Sequence, residues 1–531
     1  MGLALTSAVL LVLSFPSFNQ PWCAWVALMP WLTALRGLSG YRAFWWSYLI
    51  GLLFFLGSIW WLIYVTVVGW ILLCAYLALF FGAFGWVASR VSTGHWPLAT
   101  GHWIIPAAWV ALEYLRSHLL SGFGWNLLAY SQAPWWAITQ CADLTGAWGV
   151  SFLLVLVNTA LERFLWPETG KRERMASVLV VMVSLAAALN YSAWRIPQVT
   201  GRGTTRVAVV QGNIPQEEKW DAAFQGRIQQ RYLSLTREAA ATNPDLIVWP
   251  ETSVPGFLGV EEAVTRPVTE LAKSVGHALL VGAPVPAFSV NEGPLFNSAI
   301  LLNSSGQPSA RYDKLHLVPF GEFIPGERFF PWLRPILPPI GDFIPGHSYT
   351  VFRTPVSGFG FRVSSVNSKL ATQNSELRFS TLICFEDIFP ELARRFVREG
   401  ARLLLVITND AWFGPTAAAY QHAQASTFRA IELRVPVARA ANTGWSGGID
   451  PAGRWIGSVH DAAGRELFVA GTRMCHLPSG SADSFYLRWG DWFAWLCVAG
   501  TLGWIVYNRL RRLRKVTLLR RTLPRHEGRG G

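Results

Sequence analysis

Leu382-Ile-Cys-Phe-Glu-Asp387 sets a thiol at the end of an apolar, strand-like run, and Pro390-Glu-Leu-Ala-Arg-Arg-Phe-Val-Arg-Glu399 follows at once with helical spacing. A strand that runs into a helix leaves its last side chain at a helix N-terminus, where free N–H groups and partial positive charge gather. Such a position favours thiolate over thiol and supplies donors for an oxyanion, so Cys384 is a candidate nucleophile. On either side, strand-like runs recur at 207–211, 245–249, 278–282, 298–302, 379–383, 403–408 and 436–440. Helical spacing occupies 224–241, 260–275, 390–399 and 416–434. Near-continuous apolar strands alternating with helices predict an α/β layered domain over residues 205–484, its sheet covered by helices.

The flanking sequence obeys a different rule. At 531 residues and 52% hydrophobic, the chain exceeds one ordinary domain in length and an ordinary soluble protein in apolarity. Hydrophobic stretches at 3–18, 22–35, 44–67, 70–87, 103–115, 148–165, 176–194 and 489–506 approach the roughly 20 residues a helix needs to cross a bilayer. They predict an α-helical membrane bundle of about eight spans: seven within 1–204, and one within 485–531 followed by a basic tail. Arg36 to Arg42, Arg90, Lys171 to Arg174 and Arg509 to Lys515 fall on one side if the spans alternate, which makes that side, with both termini, cytoplasmic. The layered domain then lies outside the cytoplasm, in the periplasm of a bacterium with two membranes. Trp45-Trp46 and Trp60-Trp61 bracket the third stretch like an aromatic belt.

A net charge of +13 raises nucleic acid as a partner, but the excess sits largely in these loops and the tail, where it meets anionic lipid. No nucleic-acid-binding module accompanies it. Cys23, Cys74, Cys141 and Cys497 lie in or beside the apolar stretches, leaving Cys384 and Cys475 in the layered domain. A disulfide between those two is the competing reading in an oxidising compartment. His316, His347 and His422 lack metal-ligand spacing, so neither metal nor cofactor is expected.

Two further strand ends carry ionisable residues: Asp245-Leu-Ile-Val-Trp-Pro-Glu251 ends in a carboxylate and Arg311-Tyr-Asp-Lys314 in an ammonium. Singly, Glu251 and Lys314 read as surface residues. With Cys384 on a third junction they form a set in which a carboxylate takes the thiol proton and an ammonium faces the developing oxyanion. Glu113, Arg116 and Asp143 sit near the apolar part, either along a substrate entry route or as interfacial anchors.

Trp249-Pro-Glu251, Tyr312-Asp-Lys-Leu-His-Leu-Val-Pro-Phe-Gly-Glu322, Ile383-Cys-Phe-Glu386 and Asn409-Asp-Ala-Trp-Phe413 resemble the motifs of the nitrilase, or carbon-nitrogen hydrolase, superfamily. That resemblance implies a four-layer αββα sandwich with Glu251 as general base, Lys314 as electrostatic stabiliser and Cys384 as nucleophile. It implies that Glu322 orients Lys314 or assists proton transfer, and that Glu386 shapes the site, a solvated acid being the alternative. Phe385 holds the aromatic position after the nucleophile. With the apolar stretches and Gln211-Gly-Asn-Ile-Pro-Gln-Glu-Glu-Lys-Trp220, the chain is similar along its length to the apolipoprotein N-acyltransferase family. The likeness implies a phospholipid acyl donor, a diacylglyceryl apolipoprotein acceptor and a cysteine thioester between them. Trp220 matches a substrate-binding aromatic; a core tryptophan is the alternative. Phe329-Phe-Pro-Trp-Leu-Arg-Pro-Ile-Leu-Pro-Pro-Ile340 is too apolar for an ordinary exposed loop, and predicts a lid whose Phe329, Phe330 and Trp332 touch the acyl chain. Two other functions fit the same residues: a membrane-anchored amidase or nitrilase-type hydrolase, and a non-enzymatic lipid-binding or transport protein.

Overall fold

The computed structural model describes residues 2–92, 98–166, 169–288, 293–327, 342–356 and 376–522. Nine helices precede the first strand among these residues: α1 (Gly2–Leu13), α2 (Met29–Ala34), α3 (Gly40–Ser58), α4 (Val67–Ser92), α5 (Leu98–His118), α6 (Trp136–Thr139), α7 (Ala142–Thr145), α8 (Ala147–Leu165) and α9 (Lys171–Val199). Among the described residues, three stretches are both long and apolar enough to cross a membrane: Val67–Val91 in α4, Ala147–Leu165, and Lys171–Val199. The stretch at 22–35 is not one span. It divides into a single turn, Pro21–Trp25, and α2, whose six residues rise only about 9 Å. Pro21 and Pro30 each start a new turn there, which interrupts what hydropathy alone reads as continuous.

Small residues let α3 and α4 approach closely: a Cβ on Gly85 would lie 1.7 Å from Ser47 Oγ and 2.9 Å from the Ala43 carbonyl oxygen. Polar groups in this part act as joints. Glu113 Oε1 accepts from the Leu128 N–H at 2.7 Å, and Arg116 Nη1 donates to the Phe123 and Trp125 carbonyls. Asp143 accepts from Tyr191, Arg195 and Arg434.

The next strands are β1 (Thr200–Gln211), β2 (Leu246–Val248), β3 (Ala278–Pro286), β4 (Leu295–Leu302), β5 (Pro308–Asp313) and β6 (Phe352–Pro355). They are followed by β7 (Glu376–Ile383), β8 (Leu403–Thr408), β9 (Val437–Ala441), β10 (Gly447–Ile449), β11 (Trp455–Ser458) and β12 (Gly471–Gly480). The interspersed helices are α10 (Gln225–Ala240), α11 (Glu262–Val275), α12 (Pro390–Arg398) and α13 (Ala418–Leu433); α14 (Phe485–Trp489) and α15 (Trp492–Thr522) follow. The described strands form two six-stranded sheets, β12-β1-β2-β3-β4-β5 and β11-β10-β9-β8-β7-β6.

Side chains alternate across a strand, and both faces here are apolar. Val207, Val209, Leu246, Val248 and Leu280 share one core with the second sheet. Their neighbours Ala208, Val210, Ile247, Trp249 and Val281 pack with Ile228 and Tyr232 of α10 and Val264 and Val268 of α11. With α12 and α13 on the far side of the second sheet, the layers run α, β, β, α.

All of α13 is buried except Tyr420, because the sandwich lies along one side and the apolar helices along the other. The Gln421 amide is satisfied at both ends. Its oxygen accepts from the Trp61 and Trp125 indoles at 3.0 and 2.9 Å, and its nitrogen donates to the Pro16 and Ser58 carbonyls at 2.8 and 2.9 Å.

Candidate active site

Strand direction decides which ends meet. β2 and β3 are parallel, β4 reverses and β5 reverses again, so β2 and β5 finish at the same edge of the first sheet. In the second sheet β7 and β8 are parallel and finish together. Glu251 follows β2, Lys314 follows β5, Cys384 follows β7 and Asn409 follows β8. Loops at the carboxyl ends of strands are where open α/β sheets place their sites.

Lys314 is fully enclosed, with its Nζ 2.8 Å from Glu322 Oε2 and 3.7 Å from Glu251 Oε1. Asn297 Nδ2, from β4, donates to Glu251 Oε1 at 2.7 Å and to Glu322 Oε1 at 2.8 Å, so one amide nitrogen fixes both acids. The Asn409 backbone N–H donates to Glu251 Oε2 at 2.9 Å, linking the two sheets through the carboxylate. Glu386 is also buried. It accepts from Tyr312 Oη, the Leu315 and His316 N–H groups and the Ile383 N–H, at 2.7 to 3.0 Å. It thereby ties the loop after Lys314 to the strand that delivers Cys384, and is no solvated acid.

Cys384 has φ +53°, a left-handed conformation uncommon for a residue with a Cβ. Its thiol lies within the fields of Glu251 and Lys314, beside Thr408. Burial pushes that thiol well above its ordinary value, Glu251 adds to the rise, and Lys314 opposes it. The expectation of a favoured thiolate is therefore corrected. Cys384 opens a single turn, Cys384–Ile388, rather than the helix itself, and loss of water outweighs whatever that short turn contributes. Burial also works against the Lys314 charge, but Glu322 and Glu251 overcome it and raise the ammonium above its usual range. Burial lowers Lys219 to about 8 despite the same Glu251 and Cys384; its Nζ donates to the Glu251 carbonyl at 3.0 Å. Burial likewise raises Glu386 to about 7, against the donors around it.

Behind Cys384 lies a second charged cluster. His422 of α13 faces Asp410 through Nδ1 at 3.0 Å and Asp387 through Nε2 at 2.9 Å, and the same Nε2 is 3.2 Å from the Cys384 carbonyl oxygen. Two carboxylates facing the two ring nitrogens require both to donate, which makes the ring an imidazolium. Arg439 Nη1 donates to Asp387 at 2.8 Å.

The structure thus brings the buried Glu251, Lys314, Glu322 and Glu386 together around a partly exposed Cys384, and Phe385 packs beside them against Phe389. Trp220 is 54% exposed, so it is not a core tryptophan. Phe329, Phe330 and Trp332 lie outside the described residues. Cys384 and Cys475 are free thiols, which removes the disulfide reading. Sequence reasoning missed Asn297, Lys219, Asp387, Asp410 and Arg439, and read His422 as an ordinary packed or solvated histidine. Lys219 stood beside the tryptophan already singled out, but Asn297 sits inside an apolar strand with no local mark. Among the described residues, no trio of His, Cys, Asp and Glu is grouped as metal ligands.

Residues 7–160 match the apolipoprotein N-acyltransferase N-terminal domain, and residues 206–470 match carbon-nitrogen hydrolase. A Geobacter metallireducens protein named apolipoprotein N-acyltransferase is 37% identical over 514 residues, covering 94% of this chain and 93% of its own. Proteins of the same name from Methylococcus capsulatus and Chlorobaculum tepidum are 33% and 30% identical, each across 96% of this chain and 96% and 97% of their own.

Proposed function

We propose, because this chain belongs to the apolipoprotein N-acyltransferase family, that it moves an acyl chain from a membrane phospholipid to the N-terminal amino group of a diacylglyceryl-cysteine lipoprotein through a thioester on Cys384. The observation that carries the reading is the enclosed set of Glu251, Lys314 and Glu322 around one thiol. A thiol held protonated by burial reacts only when its proton has a destination. Glu251 takes that proton as Sγ bonds to the ester carbonyl carbon. The carbonyl electrons move to oxygen, where the Lys314 ammonium faces them. Collapse re-forms the carbonyl and breaks the ester bond, and lysophospholipid leaves with the proton Glu251 held. The acceptor amine then adds to the thioester, Glu251 takes a proton from nitrogen, and the departing sulfur is reprotonated.

Division of the chain at 1–204, 205–484 and 485–531, with the sandwich facing the periplasm and both termini in the cytoplasm, completes the proposal. The basic loops support it, as does α9, a helix long and apolar enough to cross a membrane that ends where the sandwich begins. The test uses the purified full chain with labelled phospholipid alone. A hydroxylamine-labile acyl adduct should form on the native protein and be absent from Cys384→Ala, and added diacylglyceryl peptide should discharge it. No adduct on the native protein, or equal adduct on the variant, would refute the thioester. Product released to water without phospholipid would favour the hydrolase reading.

A further inference from the structure

A groove of about 800 Å³ opens between the ends of the apolar helices and the loops of the sandwich, and Cys384 is not among its lining residues. That volume falls within the range of sites that hold an organic ligand. Trp60 and Trp136 form the wall on the helix side, Trp455 and Pro415 the wall on the sandwich side, and Tyr420 and Gln424 of α13 line it between them. Gln424 is 3% exposed, and its Oε1 has no hydrogen-bond partner. A buried amide oxygen lining a groove calls for an N–H donor from whatever fills it.

Several other polar groups of the groove have partners within the protein. Arg454 Nε holds Asp450 at 2.6 Å, and Tyr420 Oη donates to Glu466 at 3.0 Å. Beside the Gln424 acceptor the groove presents three indoles, between 38% and 41% exposed, at Trp60, Trp136 and Trp455. Arg454, the cation of the lining, is already paired with Asp450, which weakens the hold on an anionic headgroup, whereas an extended peptide brings both N–H donors for Gln424 and apolar side chains for the indoles.

The groove and the nucleophile share α13. Gln424 stands two residues beyond His422, whose Nε2 approaches the Cys384 carbonyl at 3.2 Å. Two residues turn the helix by about half a revolution, so groove and nucleophile lie on opposite faces, separated by about 10 Å of helix diameter. An extended chain covers that distance in about three residues, and in four or five if it skirts the helix.

We propose that this groove binds the polypeptide of the acceptor from about its fifth residue onward, a proposal that rests on the acyl-transfer reading above. The experiment uses the full-length protein in detergent and two acceptors: a diacylglyceryl-cysteine dipeptide, and the same head extended to ten residues. The native protein should show a lower KM for the long acceptor. Gln424→Leu and, separately, Trp136→Ala should each raise the long-acceptor KM about tenfold. The dipeptide KM, both kcat values and acyl-adduct formation from phospholipid should not move. Gln424→Leu replaces an unpaired buried amide, so its melting temperature should not fall, and Trp136→Ala tests the same wall from the surface. Equal effects on both acceptors, no effect, or slowed adduct formation would overturn the groove proposal alone. Native protein that acylates neither acceptor would overturn the acyl-transfer reading and this proposal with it.

Discussion

Asn297 illustrates how a single side chain sets a site without marking itself in the sequence. It sits within an apolar strand, yet its amide nitrogen holds Glu251 and Glu322 at 2.7 and 2.8 Å, which fixes the spacing around Lys314. Asn297→Leu should slow formation of the acyl adduct by about 10²- to 10³-fold with the sandwich still folded, read by single-turnover labelling. His422 supplies a pH-dependent contribution. Burial opposes its charge, but Asp387 and then Asp410 outweigh burial and the repulsion of Arg439, and the ring rises from 6.5 to about 9. A group raised in the fold stabilises fully below its ordinary value and loses that contribution as pH climbs through the folded one. The difference in unfolding stability between native protein and His422→Asn should be largest below pH 6.5, roughly 3 kcal/mol, and shrink toward pH 9, as melting at stepped pH would show. Glu251, Lys314 and Cys384 were legible because each ends a strand-like run. The cluster behind them was not, since a buried histidine, two aspartates and an arginine scattered from 387 to 439 resemble ordinary surface residues until the chain folds.

Strands that are buried on both faces announce themselves as continuous apolar runs, and a strand exists at each of the seven places anticipated from sequence, although β1, β4 and β7 begin three to seven residues earlier and β3 ends four later than the apolar run. Those that escaped lie outside the continuous apolar runs: β5 is exposed at three of its six residues, β6 spans four residues, β10 reads Gly-Gly-Ile, and β11 and β12 mix polar and apolar residues. One contact between elements bears directly on the site. A Cβ on Gly282 of β3 would stand 2.3 Å from the Pro250 carbonyl oxygen, 2.6 Å from the Thr252 nitrogen and 2.7 Å from the Glu251 Cα. All three are backbone, so only the loop carrying Glu251 can yield. Gly282→Ala should reduce acyl transfer about 100-fold, the scale of an ångström misplacement, while destabilising the fold by only about 1 to 3 kcal/mol. Transfer rates combined with melting curves separate the two effects.

Across the whole molecule, the apolar helices and the sandwich meet through buried polar joints rather than a flexible tether. Asp143 is held by Arg195 and Arg434, the Ala147 N–H by Glu432, and the Tyr486 and Leu487 carbonyls by Arg394. Hydropathy located the apolar regions but not these joints. It could not foresee that prolines would divide 22–35, because a scale that sums side chains ignores backbone restraint. Gln421→Leu would leave two buried indole N–H groups and two carbonyls without their partner. At about 1 to 3 kcal/mol for each orphaned group, the variant should lose at least about 3 kcal/mol of stability, measured by unfolding in detergent. Gln421 and His422 are consecutive residues of one stiff rod: the first grips the ends of the apolar segments, the second supports the carbonyl of Cys384. Any displacement of those ends is therefore conveyed to the Cys384 backbone across a single peptide link, so the seating of the helical half and the posture of that loop form one mechanical unit.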